Sequence, residues 1–193
     1  MAERAYSMAN RAASASRTRE SILRATLELA TEKLTVEIVL AEVAQRAGVT
    51  VQTVLRHFGS KGRLFDAVVE FGTAEIAAER RAPAGNSHEA IRVIVDHYEQ
   101  RGDWVIVLLG QEASDARIGA VTAIGKRVHR EWVERCFAGE LGDDDGTLAD
   151  LLVVATDVYT WKLLRRDRGL ALAATEQRMR HLVDAILASH RRR

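Results

Sequence analysis

Apolar residues recur with the helical period of about 3.6 residues along almost the whole chain, and this pattern constrains the fold more than any other feature. Pro83 is the single proline in 193 residues, and together with Gly85 it marks the clearest break. No segment alternates apolar and polar residues as a half-buried strand does. The sequence therefore predicts an all-α fold of about nine helices, long enough to bury a core without disulfide bonds.

Cysteine content and hydropathy restrict the environment of the protein. Cys136 is the single cysteine, so neither an internal disulfide nor a cysteine-based zinc site can form. No stretch approaches the roughly 18 apolar residues of a membrane-spanning helix. We therefore expect a cytoplasmic protein without membrane contact, and we expect neither a cofactor nor a metal.

Residues 43–61 have the spacing of a helix-turn-helix. Ala44 and Ala47 are small enough for two helices to cross closely, and Gly48 allows a tight turn between them. Thr50 is a suitable N-cap for the next helix, and Ser60 for the one after it. In this geometry the second helix of the pair lies in a major groove of DNA.

The exposed side of that helix and the start of the following one supply the candidate DNA contacts. Gln52 can form paired hydrogen bonds with an adenine edge, while Val51 and Leu55 can contact thymine methyl groups. Hydroxyl and basic side chains suit phosphates. The complete predicted set is Thr50, Val51, Gln52, Thr53, Leu55, Arg56, His57 and Lys61.

Residues 17–67 resemble the DNA-binding domain of TetR-family transcriptional regulators. The resemblance comes from the amphipathic first helix, the Ala-Gly-Val-Thr turn, the run from Arg56 to Lys61 and the Leu64-Phe65 pair. Residues 160–169 also resemble one branch of that family. Three positions depart from the family pattern: Leu55 replaces a phosphate-binding tyrosine, Val39 a capping threonine, and Lys33-Leu34 a glycine that ends the first helix.

The resemblance implies three regions: a mobile N-terminal tail at 1–16, a helix-turn-helix DNA-binding domain at 17–66, and a helical effector-binding and dimerisation domain at 67–193. Charge supports this division. Residues 1–66 contain ten basic and seven acidic residues, a net charge of +3, whereas the remainder has a net charge of −2. One short helix contacts too few base pairs for selectivity, so a DNA-binding protein of this kind must act as a dimer.

By the same resemblance, the protein is a repressor that a small, mostly apolar molecule releases from a palindromic operator. The last two helices supply the homodimer interface through two apolar stripes, with Trp161 fitting either the interface or the core. The stripes comprise Leu148, Leu151, Leu152, Ala155, Tyr159, Met179, Leu182, Val183, Ile186 and Leu187. Candidate pocket residues, each also explicable as ordinary core, are Tyr98, Trp104, Leu108, Gln111, Glu112, His129 and Trp132.

Other interpretations stay open. Leu55 and Val39 are compatible with a helical interaction module whose DNA binding is weakened or lost. A cysteine-dependent enzyme would need Cys136 as its nucleophile, although a stripe shared with Val128 and Trp132 favours a core position. Residues 143–146 invite a calcium interpretation, but they lack the ligand spacing of an EF-hand, which favours a solvated turn.

Overall fold

The protein is described by a computed structural model covering residues 2–33, 37–142 and 146–191, with side chains from residue 12 onward. Over these ranges the chain forms ten α-helices and one π-helical segment and contains no strand, which confirms the predicted all-α fold. The helices are α1 (Ala2–Glu32), α2 (Leu40–Arg46), α3 (Val51–Phe58), α4 (Lys61–Glu79), α5 (Ser87–Gln111), α6 (Ala116–Cys136), α7 (Ala138–Leu141), α8 (Thr147–Thr156), α9 (Val158–Lys162) and α10 (Leu172–His190), with the π-helical segment Leu163–Asp167 after α9.

The chain divides into two compact units, Met1–Ala74 and Glu75–Arg193. The division falls inside α4, eight residues after the boundary that the sequence predicts at 66. The backbone of residues 2–16, predicted as a tail, is helical and forms the first turns of α1. Leu34 and the acidic run at 143–145 lie outside the described residues, as do the family departure and the calcium interpretation that rest on them.

The first unit has its own core, built from the apolar faces of its four helices. α1 contributes Ile22 and Leu29, and the shorter helices pack against them. The remaining fully buried aliphatic side chains include one from α2, one from α3 and one from α4: Val43, Val54 and Leu64. These are the positions at which the helical periodicity places apolar residues, so the pattern and the packing agree.

The second unit is organised around α5, which packs against α6, α9 and α10. The sequence predicts two helices here, at 87–100 and 104–114, whereas the structure has a single helix that passes through Gly102. That glycine is buried because the Trp161 ring lies against it, and an added Cβ would stand 2.5 Å from the ring. Trp161 is itself completely buried, so it belongs to the core.

The helix predicted at 147–168 is interrupted. Asp157 has an extended backbone, with φ −70° and ψ 154°, and its carboxylate accepts the backbone N–H of Tyr159 at 2.8 Å. The carboxylate therefore caps α9, and the chain changes direction between α8 and α9.

Most of the predicted interface stripes pack inside the second unit. Six of the ten residues are buried in its own core: Leu148, Leu152, Ala155, Met179, Val183 and Leu187. Leu151, Tyr159 and Leu182 are exposed by 49%, 53% and 42%. The periodicity identified an apolar face correctly, but it could not separate a face that packs within the chain from one that stays exposed.

Candidate nucleic-acid interface

The turn between α2 and α3 has the geometry that the sequence predicts. Gly48 adopts φ +67°, a left-handed conformation that disfavours residues with a Cβ. The Val49 backbone N–H donates to the Ala44 carbonyl at 2.9 Å, which closes the turn. The Ser21 hydroxyl of α1 donates to the Ala47 carbonyl at 3.3 Å, so α1 supports the corner.

α2 begins without a hydroxyl cap, yet a carboxylate satisfies part of its first turn. Val39 has no side-chain acceptor, but its own backbone N–H donates to the Glu42 carboxylate at 3.2 Å. Lys33 donates to the same carboxylate, and these hydrogen bonds lower the pKa of Glu42. Arg46, at the other end of α2, likewise pairs with Glu32 and lowers its pKa. These contacts hold α2 against the end of α1.

α3 is strongly two-sided. Thr50 caps it as predicted, accepting the Thr53 backbone N–H at 3.2 Å. Val54 and Phe58 are buried in the first unit, and the guanidinium of Arg19 stacks over the Phe58 ring at 4.8 Å. The inner face therefore fixes the orientation of the helix.

The outer face of α3 carries most of the residues predicted to contact DNA. Val51, Gln52 and Arg56 are exposed. Within the described chain, the side chains of Gln52 and Arg56 make no hydrogen bond or ion pair, so neither must break an internal contact to bind a base or a phosphate. The flanking members of the set, Thr53, Leu55 and His57, are half-buried along the edges of this face.

The first turn of α4 follows α3 after only two residues. Gly59 adopts φ +78°, and the Ser60 hydroxyl accepts the Arg63 backbone N–H at 3.2 Å, as the predicted cap requires. Lys61 is half-buried, with its ammonium 5.6 Å from the centre of the Phe65 ring. A helix N-terminus offers backbone N–H groups to anions, so Lys61 and this turn together suit a phosphate.

The predicted pocket residues separate into two groups in the second unit. Trp104, Leu108, Gln111 and Glu112 are half-buried in the last turns of α5 and just beyond. Gln111 donates to the Val107 carbonyl of its own helix at 3.0 Å, and Lys126 pairs with Glu112 at 2.7 Å, which lowers the pKa of that carboxylate. The polar groups of this part of the set are therefore engaged locally.

Tyr98, His129 and Trp132 form the other group, and all three are buried. The His129 ring stacks on Trp132 with centroids 5.7 Å apart. Thr156 links the two ring systems, because its carbonyl accepts the Tyr98 hydroxyl at 3.1 Å and its hydroxyl lies 3.2 Å from His129 Nε2. The structure thus brings together three of the seven predicted pocket residues.

Sequence reasoning missed the charged member of this cluster. Arg80, just after α4, is only 7% exposed, and Trp132 Nε1 donates to its carbonyl at 2.7 Å. Its guanidinium lies 2.8 Å from His97 Nε2 and 5.6 Å from the centre of the Tyr98 ring. One signal was available: Arg80 stands four residues after Ile76, so it continues the apolar stripe of α4.

Burial controls the protonation of this cluster. His97 and His129 are enclosed, and desolvation together with the nearby Arg80 charge lowers the pKa of His97 to about 3 and that of His129 to about 4. Burial raises the pKa of Tyr98, and it lowers the pKa of Arg80. Both histidines and the tyrosine are therefore neutral near pH 7, and Arg80 remains the charged group.

Other candidate chemistries find little support. Cys136 is completely buried, and burial raises the pKa of its thiol, the opposite of what activates a nucleophilic cysteine. Among the described residues, no group of three or more histidine, cysteine or acidic side chains could hold a metal. Over the same part of the chain, no helix combines the length and the apolar character needed to cross a membrane.

A helix-turn-helix with an exposed second helix, joined to a separate helical unit, defines a DNA-binding regulator with an additional all-α domain. Comparison identifies the family. Residues 22–68 match the model of the bacterial regulatory proteins of the tetR family, so this segment belongs to that family and the sequence-based recognition is confirmed. No curated protein matches the chain.

Solved structures extend the likeness to the rest of the fold. The chain is similar to a tetR-family transcriptional regulator from Streptomyces coelicolor, with a TM-score of 0.67 and 17% identity over 90% of this chain and 81% of the other. It is also similar to a transcriptional regulator from Rhodococcus sp. Rha1, with a TM-score of 0.64 and 18% identity over 89% and 96% of the two chains. The chain therefore has the TetR fold in both units, which supports a DNA-binding transcriptional regulator.

Proposed function

We propose that the protein is a ligand-responsive, sequence-specific transcriptional repressor that acts in the cytoplasm as a homodimer on a palindromic operator. The outer face of α3 carries this proposal, because it presents Gln52 and Arg56 without internal partners on a helix whose inner face is fixed by the core. In this function α3 enters the major groove, and Val51, Gln52 and Leu55 contact bases.

The phosphate contacts come from the residues around that face. Thr50, Thr53, Arg56, His57 and Lys61 flank the groove-facing side chains and suit backbone oxygens. Two subunits double this set, which supplies the affinity and the half-site spacing that one short helix lacks. The exposed apolar residues Leu151, Tyr159 and Leu182 support a dimer interface involving α8, α9 and α10.

The second unit is the proposed effector domain. Its cluster of Tyr98, His129 and Trp132 combines aromatic walls with a few polar atoms, the composition typical of a small-molecule site. Binding there releases the operator when the ligand has a higher affinity for the form of the protein that does not bind DNA.

Footprinting and gel-shift titration on DNA flanking the protein's own gene test this function. We expect protection of a pseudo-palindrome, with an affinity that falls steeply as salt increases, because phosphate contacts release condensed counterions. Equal binding to all sequences at every salt concentration would favour the alternative of an interaction module that has lost specific DNA binding.

Two substitutions separate base contacts from phosphate contacts. Gln52→Ala should relax the preference at one base position and cost about 1–3 kcal/mol on the preferred site. Lys61→Ala should weaken binding uniformly across sequences and reduce the salt slope by about one. Gln45→Ala is the matched control, since Gln45 is an exposed glutamine on α2 and should leave operator binding unchanged.

Leu55→Tyr tests the departure from the family pattern. A tyrosine hydroxyl at this half-buried edge position would add one hydrogen bond to phosphate, so the operator affinity should rise by about 1 kcal/mol. If the variant binds no specific site either, the helix does not enter the groove as proposed.

A further inference from the structure

The buried guanidinium of Arg80 lacks a close counter-ion. Within the described residues, no carboxylate lies within 4.0 Å of it, and its Nε is buried without a hydrogen-bond partner. A buried charge is normally paired, because removing it from water costs several kcal/mol otherwise. The structure therefore holds a positive charge where an anion would compensate it.

The nearby acidic groups are engaged with other partners. The Glu79 carboxylate binds Arg101 at 2.9 Å and His97 Nδ1 at 3.0 Å. Asp157 caps α9 through the Tyr159 backbone N–H. With Arg101 paired to Glu79 and both histidines neutral, one uncompensated positive charge remains at Arg80.

Hydrogen-bond directions locate a second unpartnered atom. The Thr156 hydroxyl donates to the Leu152 carbonyl at 2.7 Å, so the same oxygen accepts from His129 Nε2 at 3.2 Å. Neutral His129 therefore carries its proton on Nε2, which leaves Nδ1 as an acceptor. That Nδ1 atom is buried and has no partner, and the histidine is only 6% exposed.

Trp132 connects the two unpartnered atoms, since it donates to the Arg80 carbonyl and stacks on His129. We propose that this cluster is the binding site for a small organic monocarboxylate, anchored by the Arg80 guanidinium, with His129 as a second polar contact. The inference deepens the proposed effector function and rests on it: the effector is an anion, whereas the sequence predicts a mostly apolar molecule.

The chemistry of the cluster favours a carboxylate over other anions. A guanidinium forms planar, paired hydrogen bonds with carboxylates, and a single positive charge matches a monoanion better than a phosphate dianion. The rings of Tyr98 and Trp132 supply apolar walls for the body of the ligand. Arg80 also directly follows α4, whose first turn carries Lys61, so the ligand binds at the end of the helix that begins beside the proposed DNA contacts.

The test compares acetate, benzoate and octanoate with the corresponding neutral amides, using the full-length wild-type protein without DNA. Thermal unfolding and tryptophan fluorescence report binding. We expect at least one carboxylate to raise the Tm by several degrees and to bind at least tenfold more tightly than its amide. If each amide matches its carboxylate, or if no carboxylate raises the Tm, the inference is wrong.

Variants assign the effect to the cluster. Arg80→Gln should abolish the carboxylate preference, whereas Arg92→Gln, at an exposed arginine of α5, should retain it. If Arg80→Gln does not fold, as judged by circular dichroism, His129→Gln replaces it and should weaken carboxylate binding at least threefold. A preference that survives these substitutions would overturn the assignment.

Gel shifts on the footprinted operator separate the two proposals. The active carboxylate should release wild-type protein from DNA but leave Arg80→Gln bound. Carboxylate binding in a protein that binds no operator would refute the regulatory function and preserve the site. Operator binding without any carboxylate preference would refute the site and preserve the regulator.

Discussion

In the first unit, the polar side chains of α3 face solvent without internal partners, and the contacts that hold α2 and α3 come from residues close in sequence. In the second unit, the charged group is buried, and the ties between elements span long segments. Trp161 Nε1 donates to Glu99 at 2.9 Å and Arg166 binds Asp103 at 2.9 Å, each pair separated by more than sixty residues.

The difference teaches where each kind of site is encoded. A DNA-contacting face needs one helix turned outward, and a short run of residues specifies the turn, the cap and the periodicity. An enclosed polar cluster needs side chains from four or more segments, so only packing brings it together. The predictions below test this contrast, beginning with the largest expected effect.

Truncating Trp161 should damage the second unit severely. The ring is completely buried and packs against Gly102, so Trp161→Ala should lower the free energy of unfolding by about 3–5 kcal/mol. Urea denaturation followed by circular dichroism measures this. Trp104→Ala, at a half-buried position on α5, is the control, and the contrast fails if both substitutions cost the same.

Acid should destabilise the second unit through its enclosed histidines. His97 and His129 have pKa values of about 3 and 4 in the folded protein, so between these values and their usual pKa the unfolded chain binds more protons. Their contribution to stability is complete above about pH 7 and is lost as the pH falls, by about 2 kcal/mol for each histidine at about pH 5.

Thermal unfolding across this pH range checks the effect. His129→Gln should flatten the pH dependence, whereas His181→Gln, at an exposed position on α10, should preserve it. An unchanged slope in His129→Gln would show that the buried cluster does not control acid stability.

Two glycines of α5 should respond in opposite directions to the same substitution. Gly102→Ala places a methyl group against the Trp161 ring and should cost about 1–3 kcal/mol. Gly110 has open space around its Cβ position, so Gly110→Ala should stabilise by about 0.5–1 kcal/mol through helix propensity. Denaturant titration of both variants is the measurement, and stabilisation by Gly102→Ala would contradict the described packing.

Capping changes in the first unit should have the smallest effects. Thr50→Ala removes the acceptor for the Thr53 N–H and should cost about 1 kcal/mol. Val39→Thr supplies a cap at an extended residue that lacks one, and it should recover somewhat less, about 0.5 kcal/mol. Differential scanning calorimetry compares them, and a destabilising Val39→Thr would mean that Glu42 already satisfies this end of the helix.

Several particulars of the fold were predictable because their causes are local. The positive φ of Gly48, the caps at Thr50 and Ser60 and the buried positions Val54 and Phe58 follow from residue types within one or two helical turns. The continuity of α5 through Gly102 was not predictable, because Trp161 lies 59 residues further along the chain. The break at Asp157 escaped for a similar reason, since an apolar run on both sides favours one continuous helix.

The sequence by itself determined that the protein is all-helical, that residues 22–68 form a tetR-family helix-turn-helix, and which face of α3 is exposed. These features depend on period, caps and turns, which short-range sterics and hydrogen bonds control. Only the tertiary structure decided that most of the stripes on α8 and α10 pack inward and that Arg80 is buried beside two neutral histidines. Those outcomes depend on which distant side chains desolvate one another, and periodicity carries no information about that choice.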